Sequence, residues 1–283
     1  PAIRTQILSH DRDWMDYRLV ALDIDGTIRS QEHGISDRTR AAIDAISRAG
    51  VRVTVATGRM FRSALASTEG LGLTSPIVSF QGAHVADPKT GEVLWHRPLT
   101  PDLVLAALEA LEEWDSEIVA SVGDEAYVNM MTPWAEGYNE RNQGRIHLLD
   151  DLSEVAEMSP SRLFAVGYPS DIAELEPRLK GTFDSRLHIT RSLPTFCEIL
   201  HPEGGKHNAL QWLCDQMGIE RSQTIAFGNG YNDVDMLRWA GLGVAVGDAL
   251  PEVLEAADMV AAPLDEDGAA QVLEQMLEGG RIG

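Results

Sequence analysis

The sequence predicts an α/β fold: a doubly wound parallel sheet carrying an α+β insertion. Three observations predict it. Short apolar strands alternate with helical patterns from residue 19 to 80, and the same alternation returns from residue 209 to 277. Between them, residues 93–200 mix short strand candidates with helices and lack that regular alternation. At about 150 residues per domain, 283 residues accommodate a core and one further unit. The expected division is a core from residues 1–83 and 201–283, with 84–200 inserted.

The elements follow in order. Leu19–Ile24 is an apolar run ending at Asp25-Gly26, a buried strand with a loop at its carboxyl end. Ser36 precedes Ala42, Ile43, Ile46 and Ala49 at helical spacing and Gly50 closes the run, so Ser36 is the expected N-cap and Gly50 the C′ residue. Val51–Ala56 is a second strand. A helix-like stretch leads to Pro76, and Ile77–Phe80 is a third strand. In the insertion, Thr100-Pro101 opens a helix, Thr as cap and Pro at the first helical position. Strand candidates follow at 118–121, 126–128, 163–166, 188–190 and 196–200, with a helix over 172–179. The second half supplies a helix at 209–217, a strand at 224–227, a helix at 234–240, strands at 243–246 and 258–261, and a helix at 268–277.

Composition narrows the function. Lys and Arg total 23 against 44 Asp and Glu, a formal charge of -21, and that field repels nucleic-acid phosphates and anionic lipid. Nucleic acid and membranes are therefore not expected partners. The two cysteines, Cys197 and Cys214, form no CxxC pair and read as buried thiols. No targeting or membrane-length apolar run occurs, so a cytoplasmic protein is expected. The acidic field would also repel a phosphorylated metabolite unless a cation or local basic group offsets it.

Four segments carry the chemistry. The run Val20-Ala21-Leu22-Asp23-Ile24-Asp25-Gly26-Thr27 places two carboxylates at a strand end, where open parallel sheets bind ligands. An aspartate is already ionised at pH 7 and needs no base to act as a nucleophile. Val55-Ala56-Thr57-Gly58-Arg59 ends the second strand, and alone it reads equally as a helix cap. Gly204-Gly205-Lys206 sets a lysine at a helix N-terminus, against the helix dipole, which is a poor place for an idle cation. Gly228-Asn229-Gly230-Tyr231-Asn232-Asp233 joins a strand to a helix and alone is a Gly-rich turn with an Asn or Asp cap.

In this order the four segments resemble the four motifs of the haloacid dehalogenase (HAD) superfamily, over about residues 18–283. The insertion between the second and third resembles the α/β cap of its Cof-type sugar-phosphatase branch. The resemblance implies a phosphatase in which Asp23 attacks phosphorus and Asp25 is the acid and base. Lys206 screens the nucleophile, and Thr57, Gly58, Arg59 and Asn232 hold the phosphoryl group. It implies Mg²⁺ on the Asp23 side chain, the Asp25 carbonyl and residue 229, with Asp233 orienting Lys206 or a metal-bound water. Two positions depart from the pattern. Asn229 stands where a metal-binding aspartate is usual, and an amide oxygen brings no charge to a hard cation. Gln81 stands where the branch usually has Asn at the exit into the cap.

A Mg²⁺-dependent phosphatase acting on a small phosphorylated metabolite, a sugar phosphate, is the favoured expectation. The alternatives are a phosphomutase with the same cap and a regulatory module that binds a phosphorylated ligand with its metal site weakened at Asn229. Trp134, Tyr138, Arg141, His188 and Arg191 are candidate cap residues facing substrate. The sequence does not fix an oligomeric state.

Overall fold

A computed structural model describes residues 17–141 and 145–280, and the side chains among these except at 140 and 141. Of residues 1–17, which precede the span of the resemblance, only Tyr17 lies among the described residues, packed against the core. The side chain of Arg141 also lies outside them.

Along the chain, β1 (Leu19–Leu22), α1 (Asp37–Arg48), β2 (Arg52–Val55), α2 (Phe61–Ser67) and β3 (Ile77–Ser79) follow the expected alternation. Next come β4 (His84–Ala86), β5 (Val93–His96), α3 (Pro101–Leu111), β6 (Glu117–Val122), β7 (Glu125–Val128), α4 (Pro133–Arg141) and β8 (Ile146–Leu148). The insertion ends with β9 (Arg162–Val166), α5 (Pro169–Phe183), β10 (His188–Leu193) and β11 (Phe196–Leu200). The chain then returns through α6 (Lys206–Met217), β12 (Thr224–Gly228), α7 (Val234–Trp239), β13 (Leu242–Ala245), α8 (Pro251–Ala256), β14 (Met259–Val260) and α9 (Gly268–Glu278).

The core sheet has the order β14-β13-β12-β1-β2, with all neighbours parallel. Alternation along its strands divides the side chains between two layers. Val20, Leu22, Val53, Val55 and Phe227 meet α1 and α9 on one face, while Ala21, Ala56, Ala226 and Ala245 let α6 and α7 approach closely on the other. Each fully buried Leu, Ile or Phe contributes about 1.5–3 kcal/mol. This is the doubly wound α/β core the alternation predicts. Ser36 caps α1 by accepting from the Thr39 amide, and Gly50 follows it at φ 96°. Thr100 precedes α3 but does not cap it: its hydroxyl turns to the Asp102 carboxylate at 2.5 Å.

A second, six-stranded sheet in the order β10-β11-β9-β6-β7-β8 forms the insertion, antiparallel except between β7 and β8. The hairpin pair β3-β4-β5 stands between the two sheets in sequence but joins the core in space. Val78 bridges in parallel to Ala56, Val85 packs with Ala21 and Ala209, and Trp95 lies 5.4 Å from Trp212 of α6. The expected boundary at 83/84 falls between β3 and β4 of this hairpin unit.

Candidate active site

The central strand β1 and its neighbours β2 and β12 end on one side of the sheet, and the loops leaving them carry the site. Asp23, one residue beyond β1, is buried. Its Oδ1 accepts from Lys206 Nζ at 2.6 Å and its Oδ2 from Thr27 Oγ1 at 3.1 Å. Lys206 opens α6 with its side chain fully enclosed, and Nζ also donates to Asp233 Oδ1 at 2.6 Å. The other oxygen of Asp233 accepts from the amides of Asn229 at 3.0 Å and Gly230 at 2.9 Å. One buried ammonium thus ties Asp23 to the loop after β12.

Electrostatics follow from this burial. Desolvation pushes the Asp23 pKa up, the Asp233 charge adds to it, and Lys206 offsets part. Desolvation would lower Lys206, but the two carboxylates overturn that and hold it above the ordinary lysine range. Two buried acids face one ammonium, and the excess negative charge shows in the Asp23 pKa, pushed up to about 7, against the expectation of an acid freely ionised there.

The oxygens left over face a common point. Thr27 Oγ1 lies 3.1 Å from Asp23 Oδ2 and 3.2 Å from Asn229 Oδ1. Gly26 turns the chain at φ 83°, and a Cβ there would come within 2.1 Å of the Asn229 amide nitrogen. Only glycine meets both demands. Among the described residues no three His, Cys, Asp or Glu side chains cluster as a metal site. The donor set is instead oxygen alone, the Asp23 carboxylate and the Asn229 amide on either side of Thr27 Oγ1. Oxygen donors of this kind fit a hard cation such as Mg²⁺, whose charge would also favour the ionised form of Asp23.

Asp25 is set apart from this buried group. Its carboxylate side chain is 44% exposed and is gripped by Arg59, Nε to Oδ2 and Nη2 to Oδ1, both at 2.6 Å, with Arg29 at 3.4 Å. Thr57 is buried and its Oγ1 accepts from the Arg59 amide at 3.2 Å. Helix α2 starts at Phe61 behind Met60, so Thr57 does not cap it. Gly58 follows Thr57, and Asn232 Nδ2 donates to Gln81 Oε1 at 2.9 Å. All nine residues expected from the sequence stand in the loops and helix starts that follow the strands at one end of the core sheet.

Of the cap candidates, Trp134 and Tyr138 stack at 5.1 Å within an aromatic cluster that includes Phe164 and Phe196. His188 packs on His207 of α6, and Arg191 pairs with Glu176 and lies 4.0 Å over the Tyr231 ring, beside Asn232. Sequence reasoning gave no role to Thr27, Arg162 or Glu198. The four-residue spacing of Thr27 from Asp23 is the only sequence signal for the first.

Residues 20–273 match the model of the haloacid dehalogenase-like hydrolase family. The chain belongs to that family. A Haemophilus influenzae protein provisionally assigned as a phosphatase is 31% identical, over 92% of this chain and 98% of its own. The Bacillus subtilis 5-amino-6-(5-phospho-D-ribitylamino)uracil phosphatase YitU is 28% identical over 91% and 96%. A haloacid dehalogenase-like hydrolase from Bacteroides thetaiotaomicron superposes with a TM-score of 0.77 at 27% identity, covering 92% of this chain and all of that one. The HAD enzyme described here is a phosphatase of the Cof type, with its cap inserted between the second and third motifs. No helix among the described residues is long and apolar enough to cross a membrane, and both cysteines are buried and free.

Proposed function

We propose that this HAD phosphatase hydrolyses a sugar or polyol phosphate monoester in two steps through Asp23. The carrying observation is the contrast in surroundings between two aspartates two residues apart. Asp23 is enclosed and held by an ammonium, while Asp25 stands at the mouth within reach of bulk water. The first is suited to attack phosphorus and carry the phosphoryl group as an acyl phosphate; the second is suited to proton transfer. Asp25 protonates the departing alcohol, then takes a proton from the water that cleaves the acyl phosphate.

Two unit charges 4 Å apart at an effective dielectric near 20 interact by about 4 kcal/mol, so an anionic nucleophile facing a phosphate dianion needs compensation of that size. Lys206 supplies part from behind, and Arg59 and the Asn232 amide supply part from the front. Mg²⁺ held by Asp23, the Asp25 carbonyl and Asn229 would supply the remaining charge neutralisation. Thr57 and Gly58 shape the phosphate end. The phosphoribityl compound in the name of the Bacillus subtilis relative supports a polyol phosphate as the substrate class.

The test is release of inorganic phosphate from a panel of hexose, pentose and polyol phosphates, nucleotides and cofactor phosphates, with Mg²⁺ and with excess chelator. Turnover is expected on sugar or polyol phosphates and loss with chelator. A need for a bisphosphate activator would instead indicate a mutase, and ligand binding without any turnover a regulatory module.

A further inference from the structure

The turn that leaves β3 is the most unusual stretch of backbone among the described residues. Phe80, Gln81 and Gly82 have φ of 50°, 56° and 95°, three left-handed residues in a row, and all three are buried. Bulky residues rarely adopt this conformation, and it persists only where the surroundings over-determine it. The surroundings are three of the four motif loops. The Phe80 amide donates to the Arg59 carbonyl at 2.9 Å and the Gln81 amide to the Thr57 carbonyl at 3.0 Å. A Cβ on Gly82 would fall 2.2 Å from the Gly205 carbonyl oxygen, beside Lys206.

The Gln81 side chain completes the set. Its Nε2 donates to Glu198 Oε1 at 2.9 Å, its Oε1 accepts from Asn232 Nδ2 at 2.9 Å, and its carboxamide fills the space a Cβ on Gly58 would enter at 2.4 Å. Glu198 belongs to cap strand β11. It is buried with Arg162 of β9 at 2.7 Å, and the same guanidinium nitrogen donates to the Gly58 carbonyl at 2.7 Å.

The polarity of this relay is dictated at its cap end. A carboxylate only accepts, so Gln81 must turn its NH₂ to Glu198 and its oxygen to Asn232. Asn232 must then turn its own NH₂ toward Gln81, leaving its second N–H for another acceptor. We propose that Gln81 is a positioning residue: anchored on Glu198 of the cap, its carboxamide fixes Asn232 so that an N–H, and not the carbonyl oxygen, is offered to the phosphate. The inference rests on the assignment of Asn232 to the phosphate end of the site. Without Gln81 the Asn232 amide can rotate, and the flipped form presents an oxygen to an anion.

The test is a double-mutant cycle of Gln81→Met, which keeps length and volume but removes donor and acceptor, with Asn232→Ala. It is read as the inhibition constant of inorganic phosphate against hydrolysis of an aryl phosphate, with melting temperature measured in parallel. Loss of one hydrogen bond to a charged group predicts about a ten-fold weaker inhibition in Gln81→Met, with a matching rise in KM. The double variant should bind phosphate no more weakly than Asn232→Ala alone. If the two effects multiply, or if Asn232→Ala weakens phosphate and Gln81→Met does not, the positioning role is overturned. If Asn232→Ala itself leaves phosphate inhibition unchanged, the assignment beneath it falls instead. Should Gln81→Met not fold, Gln81→Asn suits left-handed backbone while its carboxamide is one methylene short. The same weakening is then expected, and unchanged inhibition overturns the proposal.

Discussion

Lys206 stands between two buried aspartates, and that placement makes the two respond differently to neutralisation. Asp23→Asn removes the proposed nucleophile and also one of the two acids that share a single ammonium. Turnover should fall below about 1% of the parent, the scale of loss when a nucleophile is removed, while the melting temperature holds or rises. Asp233→Asn should lower the melting temperature, because Asp233 also satisfies the amides of Asn229 and Gly230. Appreciable residual turnover in Asp23→Asn, traced to the variant itself by mass spectrometry, would remove it from the nucleophile role. Asn229 gives a second residue-scale prediction. Its Oδ1 lies 3.2 Å from Thr27 Oγ1, which is itself 3.1 Å from Asp23 Oδ2, so Asn229→Asp adds a charge at the oxygen cluster without changing its shape. A net gain of about 1–2 kcal/mol, or about ten- to thirty-fold in Mg²⁺ affinity, is expected on the scale of charged contacts. Activity of the parent should then rise into millimolar Mg²⁺ and that of the variant saturate earlier; equal titrations would take residue 229 out of the metal shell.

At the scale of elements, legibility tracked burial. The parallel strands are enclosed on both faces and read as apolar runs, so β1, β2, β12 and β13 lie within a residue or two of their expected positions. The hairpin strands β4 and β5 do not stand out: Val93 and Leu94 are exposed while His84 and His96 are half-buried, which breaks the alternation. Helix α4 carries Gly137 at its centre, and α8 has only six residues, too few for a period to show. The candidate site was legible because its residues lie in four local motifs. The relay through Gln81 was not, since Gln81 and Glu198 are 117 residues apart and nothing local signals their meeting. Capping was legible where the partner is the helix itself. Ser36 accepts from Thr39 and also donates to Asp267 ahead of α9 at 2.5 Å, so it fastens two helices. Ser36→Ala should cost about 1 kcal/mol, a fall of about 2–4 °C in melting temperature for a chain of this size. No shift would mean that the cap is redundant with the α1–α9 packing.

For the whole molecule, the seam between core and cap is lined by neutral histidines, and this sets a pH limit on the fold. His84 of β4 packs on His96 of β5, whose Nε2 meets Ser161, just ahead of β9, at 2.9 Å. His188 of β10 packs on His207 of α6. Burial pulls His84 and His188 down to about 4, each helped by the charge of its neighbouring histidine and opposed by an aspartate, Asp124 or Asp235. In the unfolded chain the same rings titrate near 6.5, so as pH falls below that value the unfolded state takes protons that the folded state refuses. The stability they contribute is fully present above about pH 6.5 and is lost progressively toward about pH 4. At pH 5 each ring accounts for a loss on the order of 2 kcal/mol, or about 4–8 °C in melting temperature. Melting curves at pH 7.5 and pH 5 should therefore separate by several degrees, and His188→Asn, which cannot titrate, should narrow the gap by its own share. A variant whose gap equals that of the parent would show that His188 keeps an ordinary pKa, and that the acid limit of the enzyme is set elsewhere than at the seam.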